Sequence, residues 1–245
     1  MFRSLRDLLK YNIEAYDGPI GHVHDIFFDD CTWSVRYFVI DVGSWLTGRQ
    51  VLLAPHAIDD EDWNHHKIRV SLTKEQVKNS PDVDVDKPIS RQYEERLFTY
   101  YGWPVFWGAP GIMVASPPVS PAEYEKESSE GKKKGDPCLR SVREVTGYQV
   151  EASNGEVGHI EDFIAEDDPW MVRYIVVNLG HKMGEKKVLV SPKWVEKTDW
   201  IEKKFFMDIE KELIYESPEY KPTDPVNRVV EEKLYDYHGK PYYWK

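Results

Sequence analysis

Asp17-Gly18-Pro19-Ile20-Gly21-His22-Val23-His24-Asp25 is answered 137 positions later by Asn154-Gly155-Glu156-Val157-Gly158-His159-Ile160-Glu161-Asp162. The correspondence extends without a gap from Ser4 over Ser141 to Gly108 over Lys245, and roughly a third of the paired positions are identical. Self-similarity at a fixed offset decides the architecture before any local signal does. It divides the 245 residues into a copy at 4–108, a linker at 109–140 and a second copy at 141–245.

Around the quoted stretch the pattern is one of short strands. Tyr11–Ala15, a turn at Asp17-Gly18 and the alternating run Ile20–Phe28 read as a hairpin, repeated by Tyr148–Ala152, Asn154-Gly155 and Val157–Ile164. An acidic turn leads into Val35–Ile40 and Val172–Val177, whose β-branched and aromatic residues suit buried strands. Each run stops at a glycine, Gly43 or Gly180, before a further apolar strand stopped by Pro55 or Pro192. Extended pieces at Lys67–Ser71 and Lys204–Asp208 precede helical turns near Lys74–Lys78 and Lys211–Tyr215. So many short strands in so few residues predict a small closed or half-closed antiparallel barrel in each copy, and a barrel removes exposed edges. The fold class expected is mainly β: two tandem barrels, each with a short C-terminal helix and an aromatic tail.

The helices are predicted at Arg91–Tyr101 and Arg228–His238, capped by Ser90 and Asn227 and stopped by Gly102-x-Pro104 and Gly239-x-Pro241. The aromatic residues beyond them, Trp103, Phe106 and Trp107 with Tyr242, Tyr243 and Trp244, exceed what a free tail carries. Each tail is expected to cover a barrel, giving an internal pseudo-dimer, and these six residues are the candidate docking surface for a protein partner. Between the copies, the prolines and charges of Ala109–Pro137 read as a linker.

Composition narrows the function. A formal charge of −11 disfavours nonspecific binding to phosphate backbones or anionic lipid, both of which need a basic face, so nucleic acid is not an expected direct partner. No stretch has the roughly 20 apolar residues of a membrane span, and Met1–Tyr16 lacks a signal-peptide core, which reads as a cytoplasmic protein. Cys31 and Cys138 are not repeat partners and are read as two unpaired thiols.

No cofactor and no catalytic set is expected, because titratable residues recur without a partner of the right kind. Asp25 and Asp162 are expected to pair with Arg36 and Arg173 across neighbouring strands, a fold-fixing role. His22 and His159 beside Gly21 and Gly158 read as packing residues. His56, His65 and His66, among Asp59, Asp60, Glu61 and Asp62, are the best metal candidates, but the second copy keeps no histidine there, which favours a solvated acidic loop. Gly43-x-x-x-x-Gly48 precedes no Lys-Ser or Lys-Thr pair, so it is no phosphate loop.

The motif Gly18, Gly21, Asp25, Val35 to Gly43 and Val51 to Pro55, with its twin Gly155, Gly158, Asp162, Val172 to Gly180 and Val188 to Pro192, resembles the PRC-barrel family. The resemblance covers roughly half of the chain, the barrel part of both copies. The family includes the cytoplasmic domain of the H subunit of photosynthetic reaction centres and the C-terminal domain of a ribosome maturation factor, where the barrel is an interaction module. The resemblance implies a non-enzymatic scaffold that docks a protein partner. Its alternative implication is a peripheral, H-subunit-like component beside a membrane electron-transfer complex.

Overall fold

A computed structural model describes residues 1–43, 48–81, 83, 89, 91–103, 138–180 and 184–245, the side chains of residues 91 and 92 excepted. In chain order the first repeat forms β1 (Phe2–Ser4), α1 (Leu5–Leu8), β2 (Asn12–Ala15), β3 (Gly18–Asp29), β4 (Val35–Asp41), β5 (Gln50–Leu53), β6 (Ile58–Asp62), β7 (Lys67–Val70), α2 (Lys74–Lys78) and α3 (Arg91–Tyr101). The second forms β8 (Leu139–Ser141), α4 (Val142–Val145), β9 (Gln149–Ala152), β10 (Gly155–Asp167), β11 (Trp170–Asn178), β12 (Lys187–Val190), β13 (Val195–Asp199), β14 (Lys204–Met207), α5 (Lys211–Glu216) and α6 (Arg228–His238). Elements recur at the offset of the sequence repeat: Asn12 opens β2 and Gln149 opens β9, Arg91 opens α3 and Arg228 opens α6. The linker residues 109–137, together with Phe106 and Trp107, lie outside the described residues.

The fold is mainly β, with two seven-stranded sheets. One runs β12-β11-β10-β9-β14-β13 with β1 added to β10, and the other β5-β4-β3-β2-β7-β6 with β8 added to β3. This corrects the expectation of closed or half-closed antiparallel barrels in two respects. Among the described residues neither hydrogen-bonded path closes on itself: the two ends of the first, β12 and β13, are consecutive in the chain, but a 3-10 turn at Pro192–Trp194 opened by a proline separates them. Nor is the pairing wholly antiparallel, since β2 pairs β7 and β9 pairs β14 in parallel. Alternation along Lys67–Val70 or Lys204–Met207 tells which side chains face inward but not the direction in which the strand rejoins its sheet.

The chain forms two compact units: Met1–Tyr11, Val23–Phe38 and Arg140–Lys245 in one, Asn12–His22 and Val39–Leu139 in the other. In the first, Val150, Ile160, Phe163, Tyr174, Ile175, Val177, Val188 and Phe205 make the centre of the sheet. Leu5 of α1 and Ile26 and Phe28 of β3 are equally buried, and the Phe28 ring lies 5.2 Å from that of Phe163. Full burial of a side chain such as Leu5 stabilises by about 1.5–3 kcal/mol. The edge of β12 is covered by the chain after α5, where Val188 bridges Glu219 and Tyr220 N–H donates to Lys187 O at 2.7 Å. In the second unit the core is Ile13, Ile20, Val39, Ile40, Val51–Leu53, Ile68, Val70, Val77 and Leu97. The capping box of Thr73 and Gln76 starts α2, and Tyr100 Oη of α3 donates to Gln76 O at 2.8 Å.

Two of the motif glycines are explained by close approach. A Cβ on Gly21 would lie 1.9 Å from Asp41 O, and one on Gly158 2.1 Å from Asn178 O, so any side chain there would part β3 from β4 or β10 from β11. Gly18 and Gly155 take φ of 132° and 141° in the hairpin turns, which suits no other residue.

Candidate functional site

In β10 the register shifts between Ile160 and Asp162, so Glu161 is an extra residue and the bulge re-aims the side chains around it. Asp162 opposes Val176, three residues along β11 from Arg173. Its carboxylate instead holds the N-terminal segment. Ser4 Oγ donates to Oδ2, Arg6 N–H donates to Oδ1 at 3.0 Å, and its neighbour Phe163 N–H donates to Oδ1 at 2.7 Å. Ser4 is also the N-cap of α1, its Oγ accepting from Asp7 N–H at 3.0 Å, and β1 adds to β10 with Ser4 opposite Ile164.

The same clasp recurs with the roles of the repeats exchanged. Asp25 of β3 accepts from Ser141 Oγ, from Arg143 N–H at 3.2 Å and from Ile26 N–H at 2.7 Å, and Ser141 caps α4. Burial raises the Asp25 carboxyl above the ordinary carboxylate range and pushes Asp162 up to about 6, against the lowering effect of the serine and backbone donors.

The expected pairing of Asp25 with Arg36 and Asp162 with Arg173 is therefore corrected. Arg36 Nη1 lies 3.1 Å from Asp29 Oδ2, and Arg173 Nη2 lies 2.7 Å from Glu166 Oε2. Asp29 and Glu166 are themselves repeat partners. Each strand carries more than one acid, and in β10 the register shifts again between Ile164 and Ala165, opposite Arg173, which spacing in the sequence does not announce.

A second buried carboxylate went unread in the sequence. Glu231 of α6 is 1% exposed, and its repeat partner Glu94 of α3 is fully buried. Glu231 Oε1 accepts from Tyr174 Oη at 2.6 Å and from Tyr243 Oη at 2.8 Å. Its Oε2 lies 3.0 Å from Arg228 Nη1, close enough for charge pairing but off the donor axis, so it makes no aligned hydrogen bond. Burial, reinforced by the Glu231 charge, raises both tyrosines well above their ordinary range. The signal for this site was present: Glu94 and Glu231 fall on the apolar face of their helices at matched positions.

Around that cluster the tail folds back on α6 of its own repeat. The Tyr235 ring lies 6.1 Å from Tyr243 and 5.3 Å from Trp244, Tyr242 stacks on Trp244 at 4.7 Å, and Arg228 sits 4.1 Å over Trp244. Tyr242, Tyr243 and Trp244 are half-buried. Trp103, also half-buried, stacks on Tyr101 at 4.3 Å. At the end of α6, His238 is packed against Trp194, and burial lowers its imidazole to about 4.

The metal candidates are not brought together. His65 Nδ1 pairs with Asp62 Oδ2 at 2.8 Å in the β6–β7 turn, His66 occupies a left-handed position in that turn with φ of 55°, and His56 lies exposed in the 3-10 turn at Pro55–Ala57. Among the described residues the one group of potential ligands within reach of one another is Asp29, Cys31 and Cys138. Its cysteines are not the expected free thiols, because both are disulfide-bonded. Two thiols on turns remote in sequence give no pairing signal of their own. Gly43, Gly180, Pro55 and Pro192 keep structural places: Gly43 and Gly180 have φ of 65° and 75°, and each proline opens a 3-10 turn.

No protein-family model matches the chain. Over 97 residues the chain is 32% identical to an uncharacterized protein of Deinococcus radiodurans, a match covering 36% of this chain. The match spans about a third (34%) of that relative's length.

Proposed function

We propose that this chain is a non-enzymatic interaction module of two PRC-like β-units that docks a protein partner in the cytoplasm. The observation that carries the reading is the paired clasp: a three-residue strand and a capped turn are taken up beside a long strand, and their serine hydroxyl and backbone donors converge on one carboxylate. The fold thus has, twice, the chemistry for holding an extended segment by strand addition. The stacked Tyr242 and Trp244, backed by Arg228 and half open to solvent, supply the aromatic and arginine chemistry in which interfaces are enriched. A cytoplasmic location must accommodate the Cys31–Cys138 disulfide, since such bonds are rare where thiols are kept reduced.

The test is purification of the tagged chain from its native cells at low salt, beside a double variant Tyr242→Ala and Trp244→Ala. A protein recovered in stoichiometric amount with the parent and lost with the variant supports docking through the tail. Equal recovery with both would move the docking surface elsewhere, and recovery of nothing above background would sink the reading. Membrane electron-transfer subunits among the recovered proteins would point to the peripheral, H-subunit-like role.

A further inference from the structure

A cleft of about 610 Å³ opens in the unit formed by Met1–Tyr11, Val23–Phe38 and Arg140–Lys245, between α1, α4 and the bulged part of β10. That volume is in the range of small-molecule sites. Its charged lining is arranged unusually. Arg6 Nη1 and Lys187 Nζ both bond to the same oxygen, Glu161 Oε1, at 3.1 and 2.6 Å, while Asn178 Nδ2 donates to the other oxygen at 2.9 Å. Two cations are therefore held side by side by one carboxylate, whose pKa they help to depress against the effect of burial. Arg143, the repeat partner of Arg6, stands on the same cleft, with Nη1 3.2 Å from His24 O and beside the His24 ring. His159 completes the lining.

We infer that this cleft binds a small polyanion bearing phosphate or carboxylate groups. Arg6, Arg143 and Lys187 face Glu161 and Glu185, so these five side chains sum to one net positive charge in a chain of net charge −11. A guanidinium has five donors, and the bonds of Arg6 and Arg143 run through Nη1, leaving the paired edge that grips a carboxylate or phosphate. Lys187 adds a compact charge fixed in place by Glu161 rather than free to wander. Repetition of the fold alone does not produce the arrangement: the first repeat has His24, Asp41 and Gln50 where the second has Glu161, Asn178 and Lys187. The inference is independent of any protein partner.

Titration of the full chain with inorganic pyrophosphate and, separately, with citrate, followed by amide chemical shifts, tests it. Saturable shifts at Thr146, Gly147 and His159 are expected, with Kd below about 1 mM for at least one anion, and the stronger of the two distinguishes phosphate from carboxylate recognition. Lys187→Gln, which installs the residue of the first repeat, and Arg143→Ala should each weaken binding at least about tenfold. Arg143 is exposed, so its loss leaves the core intact, and amide dispersion reports on folding directly. The inference fails if neither anion saturates, if sodium chloride at matched ionic strength reproduces the shifts, or if both variants bind within about twofold of the parent.

Discussion

Asp162 is where the chemistry of single residues is most exposed to experiment. Its carboxyl titrates at about 6 in the folded chain against a reference value of 3.8, because burial outweighs the hydroxyl and backbone donors that favour its charge. Folding therefore favours the protonated form. The contribution is fully present below the unfolded pKa and is lost as pH rises through about 6, a change of order 2–3 kcal/mol. Asp162→Asn removes the titration: urea denaturation from pH 4 to 7 should show the parent losing stability relative to the variant, whatever constant offset the substitution adds. Parallel pH profiles would refute the burial argument. The importance of Asp25 and Asp162 was legible in the repeated Gly-x-x-x-Asp spacing. Their partners were not: Ser4 and Arg6 lie more than 150 residues from Asp162, and Ser141 and Arg143 more than 110 from Asp25, and no periodicity in the sequence announces which distant segments meet.

Among elements, α6 follows its sequence closely. Asn227 accepts from Val229 and Val230 N–H at 3.0 and 3.2 Å, and Gly239 ends the helix with φ of 59°, as the start and stop signals require. What the helix rests on is a buried carboxylate between two tyrosines. Glu231→Ala would strand the hydroxyls of Tyr174 and Tyr243 and release Arg228, so a loss of about 2–4 kcal/mol is expected in chemical denaturation. A loss below about 0.5 kcal/mol would show that the cluster contributes nothing net. The strands at Asn12–Ala15, Gly18–Asp29 and Val35–Asp41 lie where alternation and β-branched runs put them. The strands β6 and β13 were passed over, since Ile58–Asp62 and Val195–Asp199 are largely polar and pair at the rim of their sheets. So were β1 and α1, three and four residues long, too short to carry a period of their own.

Across the whole molecule the disulfide is a constraint that joins distant parts of the chain. Cys31 and Cys138 close a loop of about 100 residues, for which chain entropy gives roughly 4–5 kcal/mol of stabilisation. Reduction with dithiothreitol should lower the denaturation midpoint accordingly, and Cys31→Ser should match the reduced parent; an unchanged midpoint would show that the bond does not persist in solution. Legible in the residues alone are the internal repeat, the mainly β character, and where most strands and both long helices begin and end. These follow from periods of two and 3.6 residues and from glycine, proline and capping residues, all of which act over a few neighbours. Three features follow instead from long-range packing: sheets that stay open with a parallel pair in each, the clasp of each repeat's leading segment by a carboxylate of the other, and the joining of the cysteines. Those outcomes depend on which distant segments meet and at what register, and hydrophobic burial, being non-directional, leaves that choice to the fold as a whole.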